Sequence, residues 1–247
     1  YRLPSYDIAA AREATHEAPA WLHFGAGSLF RAFPAALSQR LLTAGLSKTG
    51  IICCEGYDEE LIDRVYRAND NLSIIATLYA DGHIAKEVVA SVTESLKMSE
   101  DMERLAEIFC APSLQMVTMT ITEKGYVIRD AERWLTRKIT YPLSMIDKIT
   151  PHPDNRVTEQ LEADGLEGVR PFLTAKGTYA ATFVNTERPQ YRLIEDSFPN
   201  GHPPLEQLGI IFTNRRIVER SAHMKACTCL NPMDTALGIF GCLLGYQ

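Results

Sequence analysis

The chain has 247 residues, of which 46% are hydrophobic and 23% charged, and its formal net charge is −6 at pH 7. These values are typical of a globular protein with a substantial core, in one large domain or two smaller ones. The acidic balance, with no long basic run, argues against a nucleic-acid partner. No stretch approaches the ~20 apolar residues that span a bilayer, and no apolar signal-peptide core follows Tyr1. We therefore expect a cytoplasmic protein with neither a nucleic-acid nor a membrane partner.

The cysteines do not form a recognisable pattern. Their spacing is not that of a disulfide framework, and Cys227 and Cys229 are too close together for a CxxC zinc knuckle. We expect reduced, mostly buried thiols. No carboxylate and histidine cluster has metal-ligand spacing, so no metal is expected. The six cysteines stand at positions 53, 54, 110, 227, 229 and 242.

The most informative segment is HFGAGSLFRAF, residues 23–33. An apolar run enters Gly25-Ala26-Gly27, and a helical pattern follows. Strand, glycine turn and helix present backbone N–H groups and a positive helix end to a phosphate. Gly25 would make the turn, and Gly27 would let a pyrophosphate approach the backbone. The sequence thus predicts a dinucleotide site, with an ordinary glycine turn before a helix as the alternative.

The fingerprint is incomplete at its third position. Phe30 stands where GxGxxG has a glycine, and Arg31 follows it, so both are candidate cofactor-binding residues. His23 is expected to pack under the turn.

A second buried strand is predicted over residues 50–55, and it ends on an acid. A carboxylate there holds an adenosine ribose through its hydroxyls and repels a 2′-phosphate. Glu55 and Asp58 are the candidates, and they favour NAD over NADP. The competing interpretation is that both acids begin a helix over residues 58–66, whose dipole they would complement.

The remaining pattern alternates strands and helices, which indicates an α/β, Rossmann-like doubly wound sheet. A β-hairpin is predicted around a turn at Asp81-Gly82. Its strands cover residues 72–79 and 84–92. Further strands are predicted at residues 114–122, 178–184 and 191–194. The sequence also predicts a helix at 100–109, a proline-rich loop at 198–204, and a long helix beyond Ser221 through Leu244.

Five segments carry a resemblance to one family. They are HFGAGSLFRAF, MTITEKGY (119–126), PLSMIDKITP (142–151), IEDSFPNGHPPLEQLGIIFT (194–213) and MKACTCLNPMDTALGIFGCLLGY (224–246). Together they resemble the long-chain, metal-independent polyol dehydrogenases, which include mannitol 2-dehydrogenase and the hexuronate reductases. The last two segments look most like the fructuronate reductase (mannonate oxidoreductase) branch.

The resemblance implies a dinucleotide-binding domain over residues 1–219 and, at 220–247, the first helix of a truncated C-terminal helical substrate domain. Family members are longer. They carry an additional segment between the TEKGY strand and the SMIDKITP element, where this sequence has only residues 127–141. We therefore expect an internal segment to be missing, either because residues of a longer protein are lost from the sequence or because the protein is a fragment.

Catalysis would centre on the last matched segment. Oxidising a secondary alcohol needs a base, and reducing the ketone needs an acid. A lysine can serve when burial and a nearby positive nicotinamide favour its neutral form. The resemblance assigns this role to Lys225 and an oxyanion-hole hydrogen bond to Asn231. A solvated lysine at a helix start is the alternative.

The third family position on this helix differs. Asp234 stands in place of a histidine. A carboxylate beside the lysine would favour its protonated form, which suits ketone reduction. A weakened enzyme, or an Asp234 that faces away from the site, are the alternatives.

Two further residues complete the predicted site. Asp147 matches a family aspartate near cofactor and substrate, with a surface pair to Lys148 as the alternative. Lys124, at the end of a buried strand, is expected to face the ligand.

The resemblance implies an NAD-dependent oxidoreductase that acts on a CH–OH group of a sugar acid or polyol, with fructuronate and mannonate favoured. One alternative is a mannitol/fructose-type polyol dehydrogenase. Another is a nucleotide-binding protein that has lost catalysis, as Asp234 would allow. A substrate carboxylate would need an arginine or lysine partner, which we expect in the absent C-terminal region.

Overall fold

A computed structural model describes residues 1–120, 140–187 and 191–245. Its central element is a parallel sheet in the order β5-β2-β1-β6, with β1 paired to β2 on one side and to β6 on the other. A crevice forms at the carboxyl end of the strand where the order reverses, which here is β1. The four strands are β1 (Trp21–Phe24), β2 (Ile51–Glu55), β5 (Val92–Lys97) and β6 (Met116–Met119).

Helices cover both faces of this sheet, because its strands are apolar on both sides. Leu22 and Ile52 pack against Leu105 and Ile108 of one helix. The opposite face joins the largest core cluster, which includes Phe33. The predicted α/β doubly wound architecture is therefore confirmed. The helices of this half are α1 (Ile8–Glu17), α2 (Ser28–Phe30), α3 (Ala36–Thr43) and α4 (Met102–Cys110), with a π-type segment, Arg31–Ala35, joining α2 to α3.

A second sheet contains the predicted hairpin. Strands β3 (Ser73–Leu78) and β4 (Ile84–Val89) pair antiparallel, and β10 (Phe183–Glu187) pairs parallel to β3. The turn contains Gly82 at φ +84°, as predicted. The predicted strand over residues 84–92 is wrong in one respect, because it divides into β4 and the start of β5.

Side-chain contacts from a distant helix explain that division. The Ala90 N–H donates to Gln39 Oε1 at 3.1 Å, and Ser91 Oγ donates to the Ala35 carbonyl at 2.6 Å. These bonds hold the chain where it leaves the hairpin and enters the parallel sheet.

A third sheet has the order β12-β11-β7, with β11 antiparallel to β7 and parallel to β12. One face packs on the main core through Ile194, and the other packs through Leu193 against Val218 of a C-terminal helix. The strands are β7 (Ser144–Asp147), β11 (Tyr191–Glu195) and β12 (Ile211–Thr213). A short pair, β8 (Phe172–Leu173) and β9 (Tyr179–Ala180), and helix α5 (Asn155–Ala163) complete this half.

The helical segments differ from the predicted ones in their limits and type. Ile62–Tyr66 is a π-type segment that occupies only the end of the helix predicted at 58–66, and Arg67–Asn69 continues it as a 3₁₀ turn. A second 3₁₀ turn is Leu205–Leu208. The long C-terminal helix is two helices, α6 (Arg215–Met224) and α7 (Leu230–Leu243), joined by the π-type segment Lys225–Cys229.

The cysteines and hydrophobic helices have simple outcomes. All six cysteines are free, but only Cys53 and Cys54 are buried, so the expectation of mostly buried thiols is wrong. The other four lie on exposed helical surfaces. Across the described ranges, no helix combines the length and apolarity that a membrane span requires.

Candidate functional site

The turn after β1 requires glycine at its first position. Gly25 has φ +110°, a conformation that side chains other than glycine rarely adopt, and its N–H donates to the Cys54 carbonyl at 2.8 Å. An added Cβ would lie 2.4 Å from Thr120 Oγ1. Gly25 therefore shapes the turn, as the sequence predicts.

Gly27 plays a different part. It has an ordinary φ of −73°, it precedes α2, and no side chain caps that helix. A Cβ built on Gly27 would have no described atom within 4 Å. The first N–H groups of a helix lack intrahelical acceptors, so this open, uncapped start fits a pyrophosphate.

Glu55 ties the turn to the end of β2. Its Oε2 accepts from the Ala26 N–H at 2.7 Å, and Oε1 accepts from the N–H groups of Gly56 and Tyr57 at 3.1 and 2.9 Å. Oε1 also lies 3.3 Å from the Asp58 nitrogen. The carboxylate is buried, so it first holds the turn in place, and its remaining lone-pair capacity is small.

Asp58 is more available as an acceptor. It is buried, and its Oδ2 accepts from Thr174 Oγ1 at 2.7 Å. Its Oδ1 has no hydrogen-bond partner in the part of the chain that the structure describes. A buried carboxylate oxygen without a donor is costly, and a ribose hydroxyl is the kind of group that would satisfy it. Of the two predicted acids, Asp58 therefore has the free acceptor.

Phe30 and Arg31 are both buried, and their role as cofactor-binding residues stays a prediction. Phe30 is fully buried and stacks on His23 with 4.5 Å between ring centroids. Arg31 is 1% exposed, and its Nη1 donates to the Ala181 carbonyl at 2.8 Å. Both side chains point into the core beneath the turn, because the helix turns its apolar face and this arginine toward β10.

His23 lies under the turn, as expected. Its Nδ1 is 2.7 Å from Thr118 Oγ1, and its Nε2 is 3.3 Å from Thr120 Oγ1. Burial, reinforced by the positive charge of Arg192, lowers the pKa of His23 to about 3. The imidazole is therefore neutral at all ordinary pH values and supports the turn without a charge.

Lys225 is held against the third sheet. The π-type segment directs it toward the end of β7, where its Nζ lies 2.9 Å from Asp147 Oδ1 and 3.1 Å from the Ile146 carbonyl. Lys148 donates to the Glu187 carbonyl instead of pairing with Asp147. Asp147, which the resemblance implies to lie near cofactor and substrate, thus pairs with the predicted catalytic lysine.

Asn231 and Asp234 lie on exposed positions of α7, one helical turn apart. Asn231 lines a shallow groove of about 540 Å³ together with Thr235 and Phe240. Among the described contacts, none joins Asn231 or Asp234 to Lys225. Lys124, the remaining candidate, lies outside the described residues.

Sequence reasoning missed one residue, Arg192 on β11. It is 4% exposed, and its Nε and Nη1 have no hydrogen-bond partner among the described residues. Its only local signal was a cation inside an apolar strand. For metals, no group of three or more His, Cys, Asp or Glu side chains within the described ranges is arranged to hold an ion.

The sheet order, the glycine turn and the acid at the end of β2 define a protein of the Rossmann-like fold class. No protein-family profile matches the chain. Individual relatives do. D-mannonate oxidoreductase of Thermotoga maritima is 38% identical over 328 aligned positions, covering 100% of this chain and 61% of that protein. The Polyol:NADP oxidoreductase of Gluconobacter oxydans is 23% identical, and the alignment covers 100% of this chain and 62% of that protein.

Solved structures agree on the fold. D-sorbitol dehydrogenase in substrate-free form superposes with a TM-score of 0.78 at 21% identity, covering 100% of this chain and 62% of that one. The Pseudomonas fluorescens mannitol 2-dehydrogenase complex with NAD and D-mannitol gives 0.75 at 20% identity, covering 99% and 61%. The resemblance to the long-chain polyol dehydrogenases, including their mannonate oxidoreductase branch, is thereby confirmed.

The chain spans about three fifths of the length of these relatives. The two alignments run over 328 and 327 positions, which exceeds the 247 residues of this chain. The relatives therefore carry residues inside the matched region that this chain lacks. The location of the missing segment between residues 127 and 141 stays a prediction.

Proposed function

We propose that this chain belongs to an NAD(H)-dependent oxidoreductase that interconverts an alcohol and a ketone on a sugar acid or polyol, with fructuronate and mannonate as the favoured pair. The observation that carries the proposal is the anchored lysine. Lys225 is fixed by Asp147 and the Ile146 carbonyl on a strand that packs against the core beneath the glycine turn. A positioned acid–base group beside a dinucleotide turn is what metal-free alcohol oxidation requires.

The cofactor proposal rests on the two ends of the turn. The bound nicotinamide dinucleotide would accept or supply the hydride. Its pyrophosphate would meet the open backbone at Gly27, and its adenosine ribose would donate to the free Oδ1 of Asp58. The nearby charge of Glu55 disfavours a 2′-phosphate, which supports NAD over NADP although one relative is named for NADP.

The contacts of Lys225 favour one direction of proton transfer. An ammonium group has three donors. Two are directed to Asp147 Oδ1 and to the Ile146 carbonyl. The third is left for the substrate oxygen. Lys225 is then arranged to protonate a developing alkoxide, which is the effect that the sequence analysis attributed to Asp234.

Asn231 and Asp234 enter the proposal with the helical region. Asn231 would donate to the same substrate oxygen, and Asp234 would set the charge of that side of the site. Helix α7 exposes several large apolar side chains, including Leu237 and Phe240. A surface of this kind normally packs against further protein, which supports a domain division at residue 219 with a helical substrate domain beyond it. Cytoplasmic location remains a prediction.

The test is turnover of the full-length protein, followed by NADH absorbance with fructuronate, tagaturonate, fructose and mannitol. Lys225→Ala should lose roughly 10²–10⁴-fold in turnover, the usual contribution of a general acid–base group, and should keep its affinity for NADH. Lys48→Ala, which removes an exposed lysine, is the matched control.

Three results would separate the alternatives. Normal turnover by Lys225→Ala would refute the assignment of Lys225. Turnover of fructose and mannitol without fructuronate would favour the polyol dehydrogenase. NADH binding without turnover of any substrate would favour the protein that has lost catalysis.

A further inference from the structure

Arg192 is a buried cation with which no acid in the described ranges forms an ion pair. Its side chain stacks near Phe33, with 5.4 Å from the guanidinium carbon to the ring centroid. No described residue accepts a hydrogen bond from it, and neither Nε nor Nη1 reaches solvent. Burial lowers the pKa of Arg192 to about 10, so the group remains charged at neutral pH.

Arg31, the other arginine buried in this core, differs from Arg192 because its guanidinium has hydrogen-bond acceptors. Arg31 donates to two backbone carbonyls, those of Ala181 and Phe183. Arg192 has no such acceptors. Burying a charge without a partner is energetically costly, and proteins retain such groups where function requires them.

The location of Arg192 indicates which function. On β11 it lies opposite Ile146 of β7, and the Ile146 carbonyl accepts from Lys225. Its ring contact, Phe33, belongs to the π-type segment that follows the glycine turn. Arg192 therefore stands between the proposed cofactor turn and the proposed catalytic lysine.

The geometry points to Arg192 as an anion-binding residue that takes a carboxylate or phosphate group of a bound reactant. The two sources are the carboxylate of a sugar-acid substrate and the phosphates of the dinucleotide. Nη2 is not among the enclosed donors, so the anion would approach from that edge. The choice of a sugar acid rests on the proposed function, whereas the anion site itself does not.

The experiment compares wild type, Arg192→Met and Arg192→Lys by thermal unfolding and by equilibrium binding, at constant ionic strength. The probes are inorganic pyrophosphate, NADH, mannonate and mannitol, which is neutral. Arg170→Met is the control, because Arg170 is exposed and already pairs with Glu162. Replacing a buried, unpaired charge by an apolar side chain is commonly neutral or stabilising, so the ligand-free Arg192→Met protein should unfold no earlier than wild type.

Loss of anion binding is the second expected result. Arg192→Met should weaken one anion by about 10- to 100-fold, as loss of a charge-assisted hydrogen bond does, and leave mannitol unchanged. If only mannonate binds more weakly, the anion at Arg192 is the substrate carboxylate. If pyrophosphate and NADH bind more weakly, the anion is a cofactor phosphate. The anion affinity of Arg192→Lys should lie between those of wild type and Arg192→Met. If Arg192→Met does not fold, the same comparison is made with Arg192→Lys.

Two outcomes would overturn the inference. One is equal binding of all anionic probes by wild type and both variants. The other is early unfolding of the ligand-free variants with anion affinities unchanged, which would make Arg192 a structural residue. Turnover by the wild-type enzyme under either outcome would leave the proposed function standing.

Discussion

His23 gives a prediction about stability that the structure makes quantitative. Burial holds its pKa at about 3, against an ordinary value of 6.5. Between these values the unfolded chain binds a proton that the folded chain does not. The free energy of unfolding should therefore be highest above pH 6.5 and fall as the pH drops toward 3.

The size of the effect follows from the two pKa values. Because the ring is fully buried, the whole shift counts, and it corresponds to about 5 kcal/mol at pH values below 3 and about 2 kcal/mol at pH 5. A change of 2 kcal/mol is a large part of the stability of a typical domain. The amide of His23→Gln does not titrate, so this variant should lose that part of the pH dependence.

Urea unfolding at pH 7.5 and at pH 5.0 measures how the free energy of unfolding depends on pH. Wild type should lose about 2 kcal/mol more than His23→Gln over this interval. The exposed His83 provides a control, and His83→Gln should respond as wild type does. The pH 5 limit stays above the range where acids with lowered pKa values, such as Asp154, titrate. Equal pH dependence in wild type and His23→Gln would refute the buried, neutral imidazole.

Two further predictions concern the turn and its acids. Gly25→Ala should destabilise the fold by about 1–3 kcal/mol, because of its positive φ and the contact with Thr120, whereas Gly27→Ala should leave the urea midpoint unchanged and weaken NADH binding at least about tenfold. Equal effects of the two substitutions on both measurements would contradict the division of roles. Asp58→Asn should reduce the preference for NADH over NADPH about tenfold in kcat/KM; a wild-type enzyme that prefers NADPH would show that the acids after β2 do not select the cofactor.

The first half of the parallel sheet could be predicted because its signals are local. Strands β1 and β2 are short apolar runs punctuated by glycine and ended by polar residues, and the hairpin turn has its Asp-Gly pair. The division of residues 84–92 could not be predicted, because no glycine or proline marks it. The break is made by Gln39 and Ala35, which are distant in sequence.

In the candidate site too, local features could be predicted from the sequence, whereas contacts between distant segments could not. Gly25 could be assigned to the turn from spacing, since that position requires a positive φ, whereas the role of Gly27 at a pyrophosphate stays a prediction. The contact of Lys225 with Asp147 joins two segments that sequence patterns treat separately. Arg192 has no motif at all, and only its burial and missing acceptors draw attention to it.

The two acids proposed to hold the ribose and the two cations proposed to act on the reactants are associated with different sheets, which links the separate proposals. Glu55 ends β2 and Asp58 follows it, on one side of β1. On the third sheet, Arg192 of β11 lies opposite Ile146 of β7, whose carbonyl accepts from Lys225. Ribose hydroxyls are donors that need carboxylate acceptors, and carboxylates, phosphates and developing alkoxides need cations. A dinucleotide with its ribose beside Asp58 and its pyrophosphate at Gly27 would therefore extend its reactive end toward Lys225. The chain separates these groups so that the carboxylates that favour the ribose do not neutralise the cations that would bind an anion and protonate the substrate.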